Sequence, residues 1–167
     1  MIIDPKVTDL LEEFGTSPWE GSVWRHVLGE RDPTIPSYRA GRWAPEGKFA
    51  VLYSSLDREA AIAEADFVIS QFSIPPSKKR RVCRIEIILQ STLDLTVKDR
   101  LSLLGVDIDN YQGPWDICQE IGAAANLLGH DGILAPSARY AGDNLMILTE
   151  NLGNACLVEA RDEEELT

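Results

Sequence analysis

Two periods of hydrophobic patterning run through this chain, and they predict a mixed set of helices and strands. Val7, Leu10, Leu11 and Phe14, with charges between them, have the spacing of a short helix over 5–14 that Gly15 closes. Pro18-Trp19-Glu20-Gly21 reads as a turn, and 23–27 (Val-Trp-Arg-His-Val) has strand character with polar groups on both faces. Residues 29–48 hold Gly29, Pro33, Pro36, Gly41, Pro45 and Gly47, a density of breakers that no helix or strand survives. A short apolar strand is expected at 49–53, then a helix over 57–71 ended by Pro75 and Pro76, with several candidate N-caps among Ser54, Ser55 and Asp57. Alternation over 81–89 predicts a long strand whose buried face is Cys83, Ile85, Ile87 and Leu89. A short extended piece at 93–96 precedes a helix over 97–104 that Gly105 closes. Pro114 suits the first position of the next helix, in which Trp115, Cys118, Ile121, Gly122, Ala125 and Leu128 form a core stripe and Gly129 marks the end. Strands follow at 132–135 and 144–148. Irregular alternation of short strands and helices, with no repeat or linker, predicts one α+β domain spanning 1–167.

Composition narrows the function classes. At 44% hydrophobic and 26% charged residues the chain is globular, and it has no apolar run near the ~20 residues that span a bilayer. The N-terminus lacks the charged and apolar regions of a signal peptide, so a cytoplasmic protein is expected. The net charge of -11 opposes general binding to nucleic acid and permits a small anionic ligand only where arginines converge. Cys83, Cys118 and Cys156 have no metal-type spacing and there are two histidines, so no metal site is expected and the thiols read as free. The basic run Lys78-Lys79-Arg80-Arg81 reads as a solvated strand entry, and the acidic tail from Asp162 to Glu165 as a frayed end.

One region has the residue types of a site. The loop over 29–48 carries Arg31, Arg39 and Arg42 beside Tyr38 and Trp43, a mixture suited to an anion attached to a flat ring or to an exposed loop. The following strand ends in Tyr53. In the helix after it, Glu64 has Ala60, Ala61, Phe67 and Val68 as its three- and four-residue neighbours, so it points where the helix packs. A carboxylate there either pairs with a cation or titrates above its usual range. Arg25 is a cation in a segment that otherwise favours burial, or an edge arginine reaching solvent. Ser137 and Arg139 at a strand end either face a ligand or form a turn. There is no Gly-x-Gly-x-x-Gly, no phosphate-binding loop and no nucleophile elbow, which removes the common dinucleotide, nucleotide-triphosphatase and serine-hydrolase readings.

The order of several short motifs then adds to this reading. Trp24-Arg25, Gly41-Arg42-Trp43-x-Pro45-x-Gly47, Leu52-Tyr53, Ala63-Glu64, Asp94-Leu95-Thr96, Asp131-Gly132-Ile133-Leu134-x-Pro136-Ser137-Ala138-Arg139 and Asn144-Leu145 together resemble the RES domain family. The resemblance spans a core of about 23–149, with the N-terminal helix and the acidic tail as extensions. Arg25, Glu64 and Ser137 match the arginine, glutamate and serine that name the family, and Arg42 and Tyr53 match further motif positions. Ala40 and Ala44 stand where the family usually has glycine and asparagine, and Ala40 restricts the backbone where glycine is usual.

The resemblance implies a core similar to ADP-ribosyltransferase toxins. It also implies a bacterial toxin that consumes NAD as substrate, with no bound cofactor, and a neutralising helix-turn-helix antitoxin of Xre type. Cleavage of the nicotinamide–ribose bond, by water (glycohydrolase) or by phosphate (phosphorylase), is the leading expectation. Transfer of ADP-ribose to a protein is the enzymatic alternative, and a degenerate domain that only binds a partner is the other. The residue types suit the leading chemistry. Bond breaking builds positive charge on the ribose, which Glu64 would stabilise. Arg25 and Arg42 offer guanidinium forks for pyrophosphate or phosphate. Tyr53 can stack on nicotinamide, while Trp43, Tyr38 and Ser137 are expected to contact substrate.

Overall fold

The structure, a computed structural model, describes residues 1–167. Its elements are α1 (Pro5–Phe14), β1 (Ser17–Leu28), β2 (Leu52–Ser55), α2 (Arg58–Ser70), β3 (Arg80–Asp94), α3 (Arg100–Leu103), α4 (Asp116–Leu127), β4 (Gly132–Pro136), β5 (Asp143–Ile147) and β6 (Leu157–Leu166). The strands run β1-β2-β5-β4-β3, and β3 also pairs with β1, so five strands close on themselves. Only β3–β4 is parallel; every other pair is antiparallel. The fifteen-residue β3 makes this possible, because its first part holds β6 and its last three residues hold β4 on the same edge.

Apolar alternation fills the two sides of the sheet. Val23, Leu52, Ile85, Ile87, Leu89, Leu145 and Ile147 pack into one cluster. Ile133, Ala135 and Met146 point the other way, into a larger cluster with Leu11 of α1 and Cys118, Ile121, Ala124 and Ala125 of α4. Adjacent strand residues thus belong to different cores, as a period of two requires. The buried face expected for β3 is found: Cys83, Ile85, Ile87 and Leu89 are all buried. The three cysteines are free, and no helix is long and apolar enough to cross a membrane.

Several expectations are corrected. The acidic tail is not a frayed end: it is β6, paired with β3 from Arg80↔Leu166 to Ile88↔Leu157. Charge complementarity explains this, since cations of β3 and α2 meet the acids of β6: Arg81 pairs with Glu163, Arg84 with Asp162, and Arg58 of α2 with Glu164. The basic run is correspondingly not solvated throughout, for Arg81 is buried and also donates to the carbonyls of Gly29 (2.7 Å) and Arg31 (3.0 Å). Pro18-Trp19-Glu20-Gly21 lies within β1, with an irregular register between Ser17 and Trp19 that absorbs the proline. The strand expected at 49–53 begins at Leu52, although Val51 makes an isolated bridge to Ser37. Pro114 stands outside α4, which starts at Asp116, and the helix expected over 97–104 is the single turn of α3.

Candidate active site

Helix α2 sets the site. Asp57 caps it, accepting from the backbone N–H of Glu59 (2.8 Å) and Ala60 (3.3 Å). The helix packs on β1 and β2 through Ala60 and Ala61, both buried. The face bearing Glu64 then opens: Phe67 is 40% exposed and Val68 54%. Beside them lies a cleft of ≈ 630 Å³, bounded by α2, Trp24 to His26 of β1, the loop from Arg39 to Trp43, Tyr53, Trp115 and the β4–β5 turn. Neither arrangement expected of Glu64 on spacing involved neutral partners, yet those are what it has. Ser137 Oγ donates to Glu64 Oε1 at 2.5 Å and Asn144 Nδ2 donates to the same oxygen at 3.0 Å. Asn144 is held in turn by Ser55, whose hydroxyl donates to Asn144 Oδ1 at 2.9 Å. Oε2 of Glu64 has no hydrogen bond from the protein. The carboxylate is therefore fixed through one oxygen and free at the other.

The cations converge, the condition under which so acidic a chain permits an anionic ligand. Arg25, Arg39, Arg42 and Arg139 line the cleft, and Glu64 is the single carboxylate among the lining residues, in a chain of net charge -11. Arg25 is mostly buried, and its Nη1 donates to the carbonyls of Pro33 (2.8 Å) and Ile35 (2.6 Å). Burial, and then the charge of Arg31, lower its pKa to about 10, so it stays protonated at neutral pH. Arg42 donates from Nη1 to the carbonyl of Tyr111 at 2.5 Å and stacks 4.8 Å from the centre of that ring. It lines both the cleft and a smaller cavity of ≈ 220 Å³ beside Tyr111 and Cys118. The Tyr111 hydroxyl donates to Pro136 O at 2.7 Å, and Gln112 Nε2 donates to Ala138 O.

The remaining predicted residues divide. Tyr53 lines the cleft, and burial pushes its hydroxyl up to about 12. It fits beneath Gly41, where a Cβ would stand 2.3 Å from the hydroxyl oxygen, so glycine is required by close approach. Trp43 is 3% exposed, a core residue of the α1–α4 side that also borders the cleft. Ser137 sits behind Glu64 rather than on the cleft wall, which gives it a carboxylate to hold instead of the substrate contact expected from sequence. Tyr38 is a correction: it is 54% exposed and outside the cleft, with its hydroxyl turned toward Glu150, whose charge raises its pKa.

The two family departures are accommodated locally. Ala40 has no positive φ, so alanine suits its backbone. At Ala44 the side-chain amide is missing, but Gln119 of α4 donates to the carbonyls of Gly41 (2.9 Å) and Ala44 (3.3 Å) and ties the turn to the helix. Gly122, one turn later, lets α4 touch the loop: a Cβ there would stand 1.7 Å from Trp43 O. Sequence alone gives Gln119, Asn144 and Ser55 no role in the site. Only Asn144 had a signal, its place in the motif ending Asn144-Leu145.

Comparisons with known proteins show what the whole chain is similar to. NAD(+) phosphorylase MbcT of Mycobacterium tuberculosis, and the same protein of Mycobacterium bovis, is 26% identical over 148 residues, covering 84% of this chain and 80% of MbcT. Probable NAD(+) phosphorylase Rv3189 of M. tuberculosis is 32% identical over 143 residues, covering 82% of this chain and 68% of Rv3189. The fold matches a chain of the crystal structure of the M. tuberculosis MbcT–MbcA toxin–antitoxin complex with a TM-score of 0.84 and 23% identity, over 99% of this chain and 94% of that one. Residues 21–167 match the family model of the RES domain, and the chain belongs to the RES domain family.

Proposed function

We propose that this chain cleaves the nicotinamide–ribose bond of NAD with phosphate as the acceptor, and that it acts as a toxin held in check by an antitoxin. The observation that carries the reading is Glu64, an anion fixed by neutral donors at one oxygen and free at the other, in a cleft whose other charges are four arginines. Relatives over most of this chain are NAD(+) phosphorylases, which favours phosphate over water. In this reading the free Oε2 faces the ribose and stabilises the positive charge that grows as the bond to nicotinamide breaks. The electron pair of that bond returns to the ring nitrogen, so nicotinamide leaves neutral. A phosphate oxygen forms the new bond to the same carbon. Arg25 and Arg42, already oriented by backbone carbonyls, bind the pyrophosphate with little ordering left to do. Tyr53, protonated at any physiological pH, offers a ring face and a donor to nicotinamide. The closed sheet with its one-sided cleft is read as an ADP-ribosyltransferase-like core, and an Xre-like helix-turn-helix antitoxin as the partner. The fold's match to the toxin of a toxin–antitoxin complex is in keeping with a protein inhibitor.

The test is NAD loss by the purified protein, free of any co-purified inhibitor, in phosphate and in phosphate-free buffer with products resolved. The expected result is phosphate-dependent release of nicotinamide together with ADP-ribose phosphorylated at the carbon that held it. Equal cleavage in both buffers gives a glycohydrolase, labelling of protein gives a transferase, and no loss in either buffer overturns the reading.

A further inference from the structure

Among the four cleft arginines, Arg139 is placed unlike the others. Arg25 and Arg42 are bonded to backbone carbonyls, and Arg39 is exposed on the loop. The Arg139 guanidinium lies over the ring of Phe67, 3.7 Å from its centre, and takes part in no salt bridge and no side-chain hydrogen bond. The ring covers one face of the guanidinium and leaves its edge, where all the N–H donors lie, to the cleft. Two features bring Arg139 to the side of the cleft that carries Glu64. Phe67 follows Glu64 by three residues on α2, so the two side chains are neighbours on one helix face. The Arg139 backbone N–H donates to Ser137 Oγ at 3.1 Å, the same hydroxyl that holds Glu64.

We infer that Arg139 is the binding residue for the attacking phosphate, and so the residue that selects phosphate over water. This inference rests on the proposed phosphorolysis. A phosphate dianion approaching a ribose held by an anionic Glu64 meets repulsion, which a water molecule does not. A cation beside Glu64 that is not neutralised by it removes that repulsion. Phe67 keeps Arg139 from collapsing onto Glu64, because the stacked plane faces the ring while the carboxylate already has its hydrogen bonds from Ser137 and Asn144. The guanidinium edge matches two phosphate oxygens, which a lysine cannot match.

The experiment is steady-state kinetics with inorganic phosphate varied at saturating NAD, and with NAD varied at saturating phosphate, for wild type, Arg139→Gln, Arg139→Lys, Phe67→Leu and Arg39→Gln, each first shown folded by thermal melting. Wild-type phosphate dependence tests the underlying reading; its absence overturns both that reading and the inference. Given that dependence, Arg139→Gln is expected to raise the KM for phosphate about 10- to 100-fold, the range for losing charge-assisted hydrogen bonds, with the KM for NAD nearly unchanged. The share of ADP-ribose formed with water should rise in the same variant. Arg139→Lys should recover part of the loss, and Phe67→Leu should show a smaller increase. An unchanged KM for phosphate in Arg139→Gln overturns the inference while phosphorolysis stands. So does a raised KM for NAD alone, which would move Arg139 to the pyrophosphate, or a phosphate effect confined to Arg39→Gln.

Discussion

Ser137 and Glu64 are 73 residues apart in sequence, and their side chains meet at 2.5 Å, hydroxyl donating to carboxylate. Ser137 lies just past the end of β4 and Glu64 in the middle of α2, and the same Ser137 oxygen accepts from the backbone of Arg139 and Tyr140. The turn therefore orients the hydroxyl, and the hydroxyl orients the acid. Removing it should cost orientation more than binding. Ser137→Ala is expected to lower kcat by about 10- to 100-fold with a much smaller change in the KM for NAD, and Ser137→Thr to recover much of the loss. Glu64→Gln should abolish turnover with the melting temperature nearly unchanged. Nicotinamide release by these three variants checks the assignment, and wild-type kcat in Ser137→Ala would refute it.

Asn144 and Ser137 act on the same oxygen of Glu64, so their effects should not add. Asn144→Ala and Ser137→Ala are each expected to reduce kcat, and the double variant to lose less than the product of the two single losses. A double-mutant cycle on kcat measures this. Strict additivity would mean that the two donors do not share one task.

Gly122 is where α4 meets the active-site loop. A Cβ at this position would overlap Trp43 O, a backbone atom that cannot swing aside. Gly122→Ala should destabilise the fold by about 3 kcal/mol and displace the loop that carries Arg42. Urea unfolding gives the first number, and loss of NAD affinity in the surviving folded protein gives the second.

His26 ties acid stability to the wall of the cleft. Its Nε2 accepts from Arg80 Nε at 2.9 Å, and Arg80 also holds Asp66 of α2 at 2.7 Å. Burial, with Arg80 beside it, lowers the His26 pKa to about 4, against 6.5 for an ordinary histidine. Between those values the unfolded chain binds the proton and the folded one does not. The His26 contribution is thus complete above about pH 6.5 and is lost as pH falls toward 4. The melting temperature of the wild type should fall over this window more steeply than that of His26→Gln. Parallel curves would mean that His26 titrates alike in both states.

The tail contributes stability through one buried cation. Arg81 Nε donates to Glu163 Oε2 at 2.7 Å, with the Arg81 side chain 8% exposed and Glu163 56% exposed. Glu163→Gln should cost about 1 kcal/mol, discounted for the solvent around the carboxylate, as read by chemical denaturation. Loss of several times that value would show Arg81 to depend on Glu163 alone rather than on the Gly29 and Arg31 carbonyls as well.

What the sequence determined by itself follows from local periodicity and residue type. The buried face of β3, the helix over 58–70 with its acid, the core stripe of α4 and the cationic loop all depend on neighbours within a few residues, and all were legible. The ordered motifs also named Arg25, Arg42, Tyr53 and Glu64, each of which lines the cleft. Long-range pairing was decided only by the tertiary structure. Five acidic residues in the last ten of the chain carry no strand signal until the cations of β3 supply their partners. Spacing put Glu64 on an apolar helix face, but its neutral partners are Ser137, just past β4, and Asn144 of β5, which Ser55 of β2 holds in turn, all brought together by the closed sheet. Tyr38 and Trp43 look alike in the loop sequence. Packing alone sends Trp43 into the core under Gly122 and leaves Tyr38 outside beside Glu150, because which ring is buried depends on the surface it meets and not on its neighbours in the chain.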